Sequence, residues 1–250
     1  NHQESKQTLQ AGVLGLDAAS EVPLSRKHNA SYLFNYRYST TGFMNKVSPA
    51  GDLEQEMDYQ DFNFKLNFPT QKAGIFSVWG TALIDKIKPE IKTPDEWDYM
   101  EDAKDSRMKQ TSAAAGLSHR YFFDNGGLLK TSLATTYSKT DVWESIYDNK
   151  MDSAHFLDFQ SRYTNLVLTS SFNKKYSSRH TNKTGFTWTN MHYDMDFDLA
   201  PLYTDPMQRI SEGKGTTNLL SAYSSSLFTF NDKLSATLGV NGQLLTLNNT

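Results

Sequence analysis

Apolar and polar residues alternate with a period of two along most of the chain. Phe62, Phe64, Leu66 and Phe68 alternate with Asp61, Asn63, Lys65 and Asn67. Upstream, Ala30, Tyr32, Phe34, Tyr36 and Tyr38 alternate with Asn29, Ser31, Asn35, Arg37 and Ser39, and Leu33 breaks the polar series. Phe76, Val78, Ala82 and Ile84 share one face, while Ser77, Thr81 and Asp85 share the other with Trp79 and Leu83. Leu129, Leu133 and Tyr137 oppose Lys130, Ser132, Thr136 and Ser138, and near the end Leu234, Ala236, Leu238, Val240 and Leu244 oppose Ser235, Thr237, Asn241 and Gln243. Strand side chains point alternately to opposite faces, so each run reads as a strand with one apolar and one polar face. No stretch carries helical spacing with caps. The pattern predicts an all-β chain.

The links between the runs alternate as well. Short, turn-forming links fall at 23–29, 69–74, 124–127, 173–180 and 231–233, and long polar links at 41–58, 89–109, 141–155 and 198–215. Short turns on one edge and long loops on the other predict an up-and-down antiparallel meander. The runs are about ten to fifteen residues long, beyond the five or six usual in globular sheets and enough for a tilted bilayer crossing. Two places are ambiguous. Residues 7–22 read either as one strand or as a hairpin folded near Gly12 and Gly15, giving ten or eleven strands. Phe186 and Trp188 hold one parity, but Met191, Tyr193, Met195 and Phe197 hold the other, a switch that a bulge or an exit from a membrane band would produce.

Composition enters as a choice about what the apolar faces meet. The chain has 250 residues with 15 Phe, 13 Tyr and 4 Trp, a ring content that needs a use in so polar a sequence. Mean hydropathy is −0.60, and no run of apolar residues is long enough for a helical membrane span. If the apolar faces meet one another, the protein is a soluble sandwich or a lipocalin-like barrel. If they meet lipid, it is a transmembrane barrel with a polar lumen. The polar faces hold Asn, Thr, Ser, Gln, Lys and Arg throughout, with no second apolar layer in the sequence to cover the first. Aromatics gather near strand ends (Tyr36 and Tyr38; Tyr59, Phe62 and Phe68; Tyr121, Phe122 and Phe123; Phe228 and Phe230), as interfacial girdles require. Lipid is the favoured environment.

Charge then separates the two edges. The net charge of −3 conceals four long loops, at 41–58, 89–109, 141–155 and, counted from Asp194, 194–215, that each hold three more acidic than basic residues. The short turns instead carry Arg26, Lys27, Lys72, Lys174, Lys175, Arg179 and Lys233 against Asp124 and Asp232. Neither total nor pattern suggests nucleic acid. The absence of cysteine excludes a disulfide scaffold, thiolate metal sites and a cysteine nucleophile. The start of the chain has neither the basic nor the apolar region of a signal peptide.

The segment 12–21, the proline at Pro23 and the run Ser31-Tyr-Leu-Phe-Asn-Tyr-Arg-Tyr-Ser-Thr40 resemble the barrel start of TonB-dependent outer-membrane receptors of the Bacteroidetes type. The most specific part is Asn35-Tyr36-Arg37-Tyr38-Ser39-Thr40. Family members commonly carry Glu-Gly-Pro where this chain has Glu21-Val22-Pro23. In that family a plug precedes the barrel, the first barrel strand rises from the periplasm, and the short turns are periplasmic. Placing 23–29 on that side requires the hairpin reading of 7–22, hence eleven strands. The family barrel has twenty-two, so the resemblance implies that residues 1–250 form a single partial barrel domain. The plug, the TonB box and the remaining strands are then expected outside it. The ending Asn248-Asn249-Thr250, without a terminal aromatic, fits a chain that continues.

The resemblance implies energised import of a nutrient ligand in the bacterial outer membrane, with no covalent chemistry and no cofactor. The implied partners are outer-membrane lipid and lipopolysaccharide, the plug and remaining barrel, and the TonB complex. If their apolar neighbours face lipid, Asn35, Arg37, Asn63 and Lys65 line the lumen; the resemblance implies that they hold the plug, and the alternative is that they solvate a wet interior. The loop aromatics Trp97, Tyr99, Trp143, Tyr147 and Tyr203 either stack on the ligand or pack loop on loop. Acidic loops disfavour a strongly anionic ligand and suit a neutral, cationic or Ca²⁺-bridged one.

No nucleophile elbow, P-loop, dinucleotide fingerprint or His-Glu-x-x-His is present. The metal candidate is His192, Asp194, Asp196 and Asp198, which even spacing puts on one strand face. Oxygen ligands suit Ca²⁺, and the alternative is a hydrated acidic wall at the mouth of a lumen. The rival from another class is a self-contained ten-strand barrel enzyme such as an omptin-like protease, for which His155 with Asp152 or Asp158 is the candidate pair. His28 and His180 fall at turns and His119 is isolated.

Overall fold

In the computed structural model, residues 5–12, 15–25, 27, 29–40, 55–89, 91–203 and 205–246 are described. Alternation becomes eleven strands in one antiparallel sheet: β1 (Lys6–Gly12), β2 (Gly15–Ser25), β3 (Ala30–Thr40), β4 (Gln55–Pro69), β5 (Ile75–Pro89), β6 (Lys104–Phe122), β7 (Gly127–Tyr147), β8 (Ser153–Ser177), β9 (His180–Leu199), β10 (Gln208–Asn231) and β11 (Leu234–Thr246). Each strand pairs with the one before it and the one after it in sequence. Two 3₁₀ turns, Pro94–Glu96 and Met100–Ala103, are the only helical elements among the described residues. Residues 7–22 form the hairpin, with Gly12 and Gly15 as the last facing pair. The expected loop 41–58 and the N- and C-terminal residues fall wholly or largely outside the described residues.

Register assembles the apolar positions into one continuous face. Phe34 faces Phe64 and Tyr36 faces Phe62 across β3 and β4. Leu66 faces Val78, Val78 faces Leu117, and Leu117 faces Leu133. Leu133 faces Leu168, then Trp188, Leu220 and Leu244 follow in the same row. The Phe64 ring lies over Gly80, where an added Cβ would meet it at 2.4 Å, so the glycine lets the ring bridge two strands. Substantial contacts run only between sheet neighbours, so the sheet is one layer thick. Among the described residues the buried apolar side chains are Ala30, Ala103, Phe156 and Ala200, while Phe76, Leu117, Leu133, Leu166 and Leu220 are all more than 40% exposed. A soluble sandwich would cover that face with a second sheet, and among the described residues none does. The apolar face is a lipid face.

The band of alternation is about nine residues tall on β5, β6 and β7, the length a tilted strand needs to cross a bilayer. The strands themselves run on. β6 to β10 hold 19, 21, 25, 20 and 24 residues, longer than the sequence suggested. At ~3.3 Å per residue β8 is about 80 Å long, against roughly 30 Å of hydrocarbon. Much of each long strand therefore stands in water, where side chains need not alternate apolar with polar. This is why 141–147 and 208–215 looked like loops: they are strand. The long links shrink to 148–152 and 200–207, and the link at 173–180 shrinks to a two-residue turn.

Register shifts occur near strand ends, between Pro23 and Ser25, Glu144 and Ser145, Lys175 and Ser177, Arg209 and Ser211, and Thr229 and Asn231. None lies within the band, where an unpaired amide would face hydrocarbon. The parity switch in β9 is accordingly not a bulge. Pairing with β8 runs unbroken from Thr181 to Leu199, so the band ends while the strand continues.

Rings mark the short-turn edge of the band. Phe76 stacks on His119 at 4.3 Å, Tyr121 meets Phe123 at 4.7 Å, and Phe123 meets Phe172 at 5.7 Å. His180 stacks between Tyr176 and Phe228 at 5.3 and 4.5 Å. His119 and His180 thus belong to a girdle, amphipathic rings at a boundary between apolar and wet surroundings.

The two faces predict different tolerances. Leu117→Arg, in the middle of the apolar band, should cost about 2–4 kcal/mol in a bilayer. Ser112→Arg, on the polar face five residues away along β6, should cost under about 1 kcal/mol. Urea unfolding of the full-length protein in liposomes measures both, and equal costs would contradict the assignment of faces.

Candidate functional site

On the polar face, β2, β3 and β4 bring together residues separated by turns. Arg37 donates from Nε to Asp17 Oδ2 at 3.0 Å, and its other nitrogen stands 3.0 Å from the same oxygen. Asn35 donates to Asp17 Oδ1 at 3.4 Å. Asn35 faces Asn63 and Arg37 faces Asp61 in register, and Asn63 donates to Asp61 at 3.1 Å. The four polar-face residues expected from sequence do share one face. Their carboxylate partners Asp17 and Asp61 were not singled out, because the pairing is set by register across strands. Lys65 lies apart from this network, beside a cleft toward the short turns.

Above the band the faces exchange character. The apolar face continues from Trp188 into Asn190, His192, Asp194, Asp196 and Asp198, confirming that the last four share a face. His192 Nδ1 sits 3.0 Å from the Thr216 hydroxyl. Asp194 lies 3.7 Å from Arg162, and Arg209 binds Asp196 at 2.7 Å, Asp198 at 2.5 Å and Glu212 at 3.0 Å. Guanidinium groups hold the acidic row, and among the described residues no three acidic or histidine side chains converge to hold a cation. The row also continues the lipid face, not a lumen wall.

The polar face meanwhile gains rings. Phe159 meets Phe197 edge-on at 6.1 Å, and Tyr163 faces Tyr193 in register, each more than 40% exposed. Met191 and Met195 flank Tyr193 on the same face of β9. These rings and thioethers form a group of ligand-like surface that the sequence reading did not assign. The parity switch at 188–191 was its signal.

The five expected loop aromatics divide. Trp143 and Tyr147 are strand residues of β7. Trp143 stacks on His155 at 5.0 Å beneath the Arg107 guanidinium, 5.3 Å from its ring. Trp97 donates to the Lys92 carbonyl at 3.1 Å, and Tyr203 packs edge-on against Phe156 at 4.9 Å. Tyr99 stands free at 76% exposure. His155 bonds Asp158 through Nε2 at 2.9 Å and the Glu144 carbonyl through Nδ1 at 3.0 Å. With both ring nitrogens engaged, neither is open to activate a water for hydrolysis. Asp152 instead receives its backbone bonds within the turn, its amide donating to Asp148 at 2.9 Å.

Carboxylates hold the loop 91–103. Lys92 donates to Asp102 at 2.6 Å, and the amides of Asp98 and Tyr99 donate to the other Asp102 oxygen at 3.0 and 2.9 Å. Glu96 accepts from the amide and hydroxyl of Thr93 at 2.9 and 2.8 Å. The Lys92 ammonium, with the amide of Tyr99 next, holds the Asp102 carboxyl below its ordinary value. The Thr93 amide and hydroxyl lower Glu96 in the same way. A carboxyl lowered on folding contributes order that is present above its unfolded value and is lost as pH falls through the folded one. Protection of the Asp98 and Tyr99 amides, taken as exchange relative to the intrinsic rate at each pH, should therefore hold at neutral pH and be lost only below about pH 4, the ordinary carboxylate value. Asp102→Asn should remove it already at neutral pH. Unchanged protection in that variant would show that something else orders the loop.

No protein-family model matches the sequence, and no curated protein matches it. Solved structures do. The pyoverdine outer-membrane receptor FpvA of Pseudomonas aeruginosa, bound to pyoverdine, superposes on 98% of this chain with a TM-score of 0.75 and 13% identity, using 42% of its own length. The complex of FpvAI with pyocin S2 covers 97% of the chain and 38% of its own, with a TM-score of 0.70 and 14% identity. BauA, the ferric preacinetobactin receptor of Acinetobacter baumannii, covers 98% and 42%, with a TM-score of 0.58 and 12% identity. This chain spans about two-fifths of these receptors. At such identities the likeness is one of fold, and it is extensive: the eleven antiparallel strands superpose on part of these receptors' barrels.

Proposed function

We propose that the chain is the N-terminal half of the barrel of a TonB-dependent outer-membrane receptor of the Bacteroidetes type, importing a nutrient ligand through a plugged lumen. One observation carries this reading. A single-layer sheet with a lipid-high apolar band superposes over 98% of its length on an outer-membrane receptor barrel. A free sheet would leave the outer edges of β1 and β11 unpaired at membrane depth, at several kcal/mol per exposed group. The reading supplies the remaining strands and a plug inside them. The network of Asp17, Asn35, Arg37, Asn63 and Asp61 then faces the plug. The short turns face the periplasm, their cations on the TonB side, and the acidic loops face outward.

The ligand surface in this reading is the inner wall above the band, Phe159, Tyr163, Tyr193 and Phe197, with Tyr99 at the rim. Ring faces at a water-filled mouth offer stacking area at little entropic cost. A protease reading finds no support in His155, whose nitrogens are both occupied.

Topology tests the reading directly, because this chain has no cysteine to mask an introduced one. Tyr99→Cys should react with a membrane-impermeant maleimide on intact cells. Asp124→Cys should react only after the outer membrane is permeabilised. Labelling of both residues on intact cells, or of neither, would rule out the orientation. Loss of the TonB complex should leave both labelling patterns intact while abolishing uptake.

A further inference from the structure

The polar face of β4–β9 changes charge toward the short turns. Lys65, Arg120, Lys130, Lys175 and Lys183 point to that face by register, and no carboxylate shares it on those strands from Lys65 down to the turns. Nearer the long loops on the same face, Arg37 is neutralised by Asp17; the other paired guanidiniums, Arg107, Arg162 and Arg209, stand on the opposite face. Among the described residues, Lys65, Arg120, Lys130 and Lys183 form no such pair. Arg120 and Lys130 even face each other directly across β6 and β7. Two like charges directly opposite each other disfavour sheet pairing. Lys65, Arg120 and Lys130 line one cleft of about 370 Å³, to which Ser118, Ser171 and Thr169 add hydroxyls. Guanidinium, ammonium and hydroxyl donors gathered on a wall without carboxylates are the chemistry of an oxyanion site.

We propose that this wall binds the phosphate or carboxylate groups of the solute that passes the lumen, with Arg120 and Lys130 as the principal contacts and Lys65 across the cleft. The proposal rests on the barrel reading, which makes the polar face a lumen. It also qualifies the expectation drawn from the acidic loops. Lys130 and Trp143 are about 40 Å apart along β7 at ~3.3 Å per residue, several times the ~8 Å screening length of physiological salt. The loops therefore act on the solute at entry, and the wall acts on it after entry. A solute whose anionic groups are masked or cation-bridged at the mouth meets oxyanion donors below. The same donors would take carboxylates of a polypeptide that fills the lumen, and the two sources leave different footprints.

The test is lysine-reactivity footprinting of the full-length protein in detergent, read residue by residue by mass spectrometry, with inorganic pyrophosphate as the probe. Labelling of Lys65 and Lys130 should fall about tenfold at saturating pyrophosphate, as a charge-assisted contact requires. Sodium chloride of equal ionic strength should not reproduce it, and Lys86 and Lys109, on the opposite face, should be unaffected. Arg120→Gln should restore labelling of Lys130 in pyrophosphate, and Lys130→Gln should restore labelling of Lys65. Equal labelling with and without pyrophosphate, or equal protection by chloride, overturns the site. Protection of Lys65 and Lys130 before any anion is added overturns the solute as its source and assigns the wall to polypeptide carboxylates. A lipid-soluble photoprobe in the same sample reports the barrel separately. If it fails to label 62–68 and 76–84 while pyrophosphate still protects, the membrane reading fails and the anion site stands.

Discussion

The whole structure depends on one constraint: a sheet without a second layer must satisfy its backbone sideways and its apolar side chains by lipid. Strand pairing supplies the first. Each strand bonds its sequence neighbours, register is unbroken through the band, and the bulges are displaced to the ends where water can take an unpaired amide. The second follows from the rows that run from Phe34 through Phe64, and from Val78 through Leu133 to Leu244. A soluble protein could not leave Leu117, Leu133, Leu220 and Leu244 in these rows more than 40% exposed, because burying them is what would stabilise it. In lipid they are already solvated.

From that constraint the rest follows by height. Within the band, outward side chains must be apolar and inward ones are free to be polar, so the inner wall can collect hydroxyls, amides and charges. Above the band the outer face returns to water and takes Arg162, Asp194, Asp196, Asp198 and Arg209 in a ladder of ion pairs. The inner face there takes Phe159, Tyr163, Tyr193 and Phe197. Below, the girdle of Phe76, His119, Tyr121, Phe123, His180 and Phe228 closes the band. The charge segregation has the same origin: at the height of the band a cation without a partner is tolerated on a hydrated inner wall, whereas one facing hydrocarbon would be expelled or paired.

Much of this was legible in the alternation. Phe62 to Phe68 and Phe76 to Ile84 reported their faces correctly, as did Asn35, Arg37, Asn63 and Lys65. The errors share a cause. Trp143 and Tyr147 read as loop because 141–155 is charged and irregular, yet β7 continues through them with cross-strand hydrogen bonds that impose no pattern on side chains standing in water. Asp17 was passed over because its partner Arg37 is reached across a hairpin, and one residue of slippage would have sent it to the other face. The His192 to Asp198 row was recognised as sharing a face, but Arg162 and Arg209, which hold it, come from neighbouring strands.

The sequence by itself determined the strand class, the two-faced character of each run, the meander with unequal edges and the polarity of charge, because a period of two is a local property written in consecutive residues. It left open whether residues 7–22 were one strand or two, where the strands end and which side chains meet. Only the tertiary structure decided those. Register fixes every cross-strand neighbour at once, and register is set by the pairing of whole strands rather than by any residue's own preference. The same pairing placed Arg120 against Lys130 and left both without a carboxylate, a juxtaposition that no reading along the chain contains.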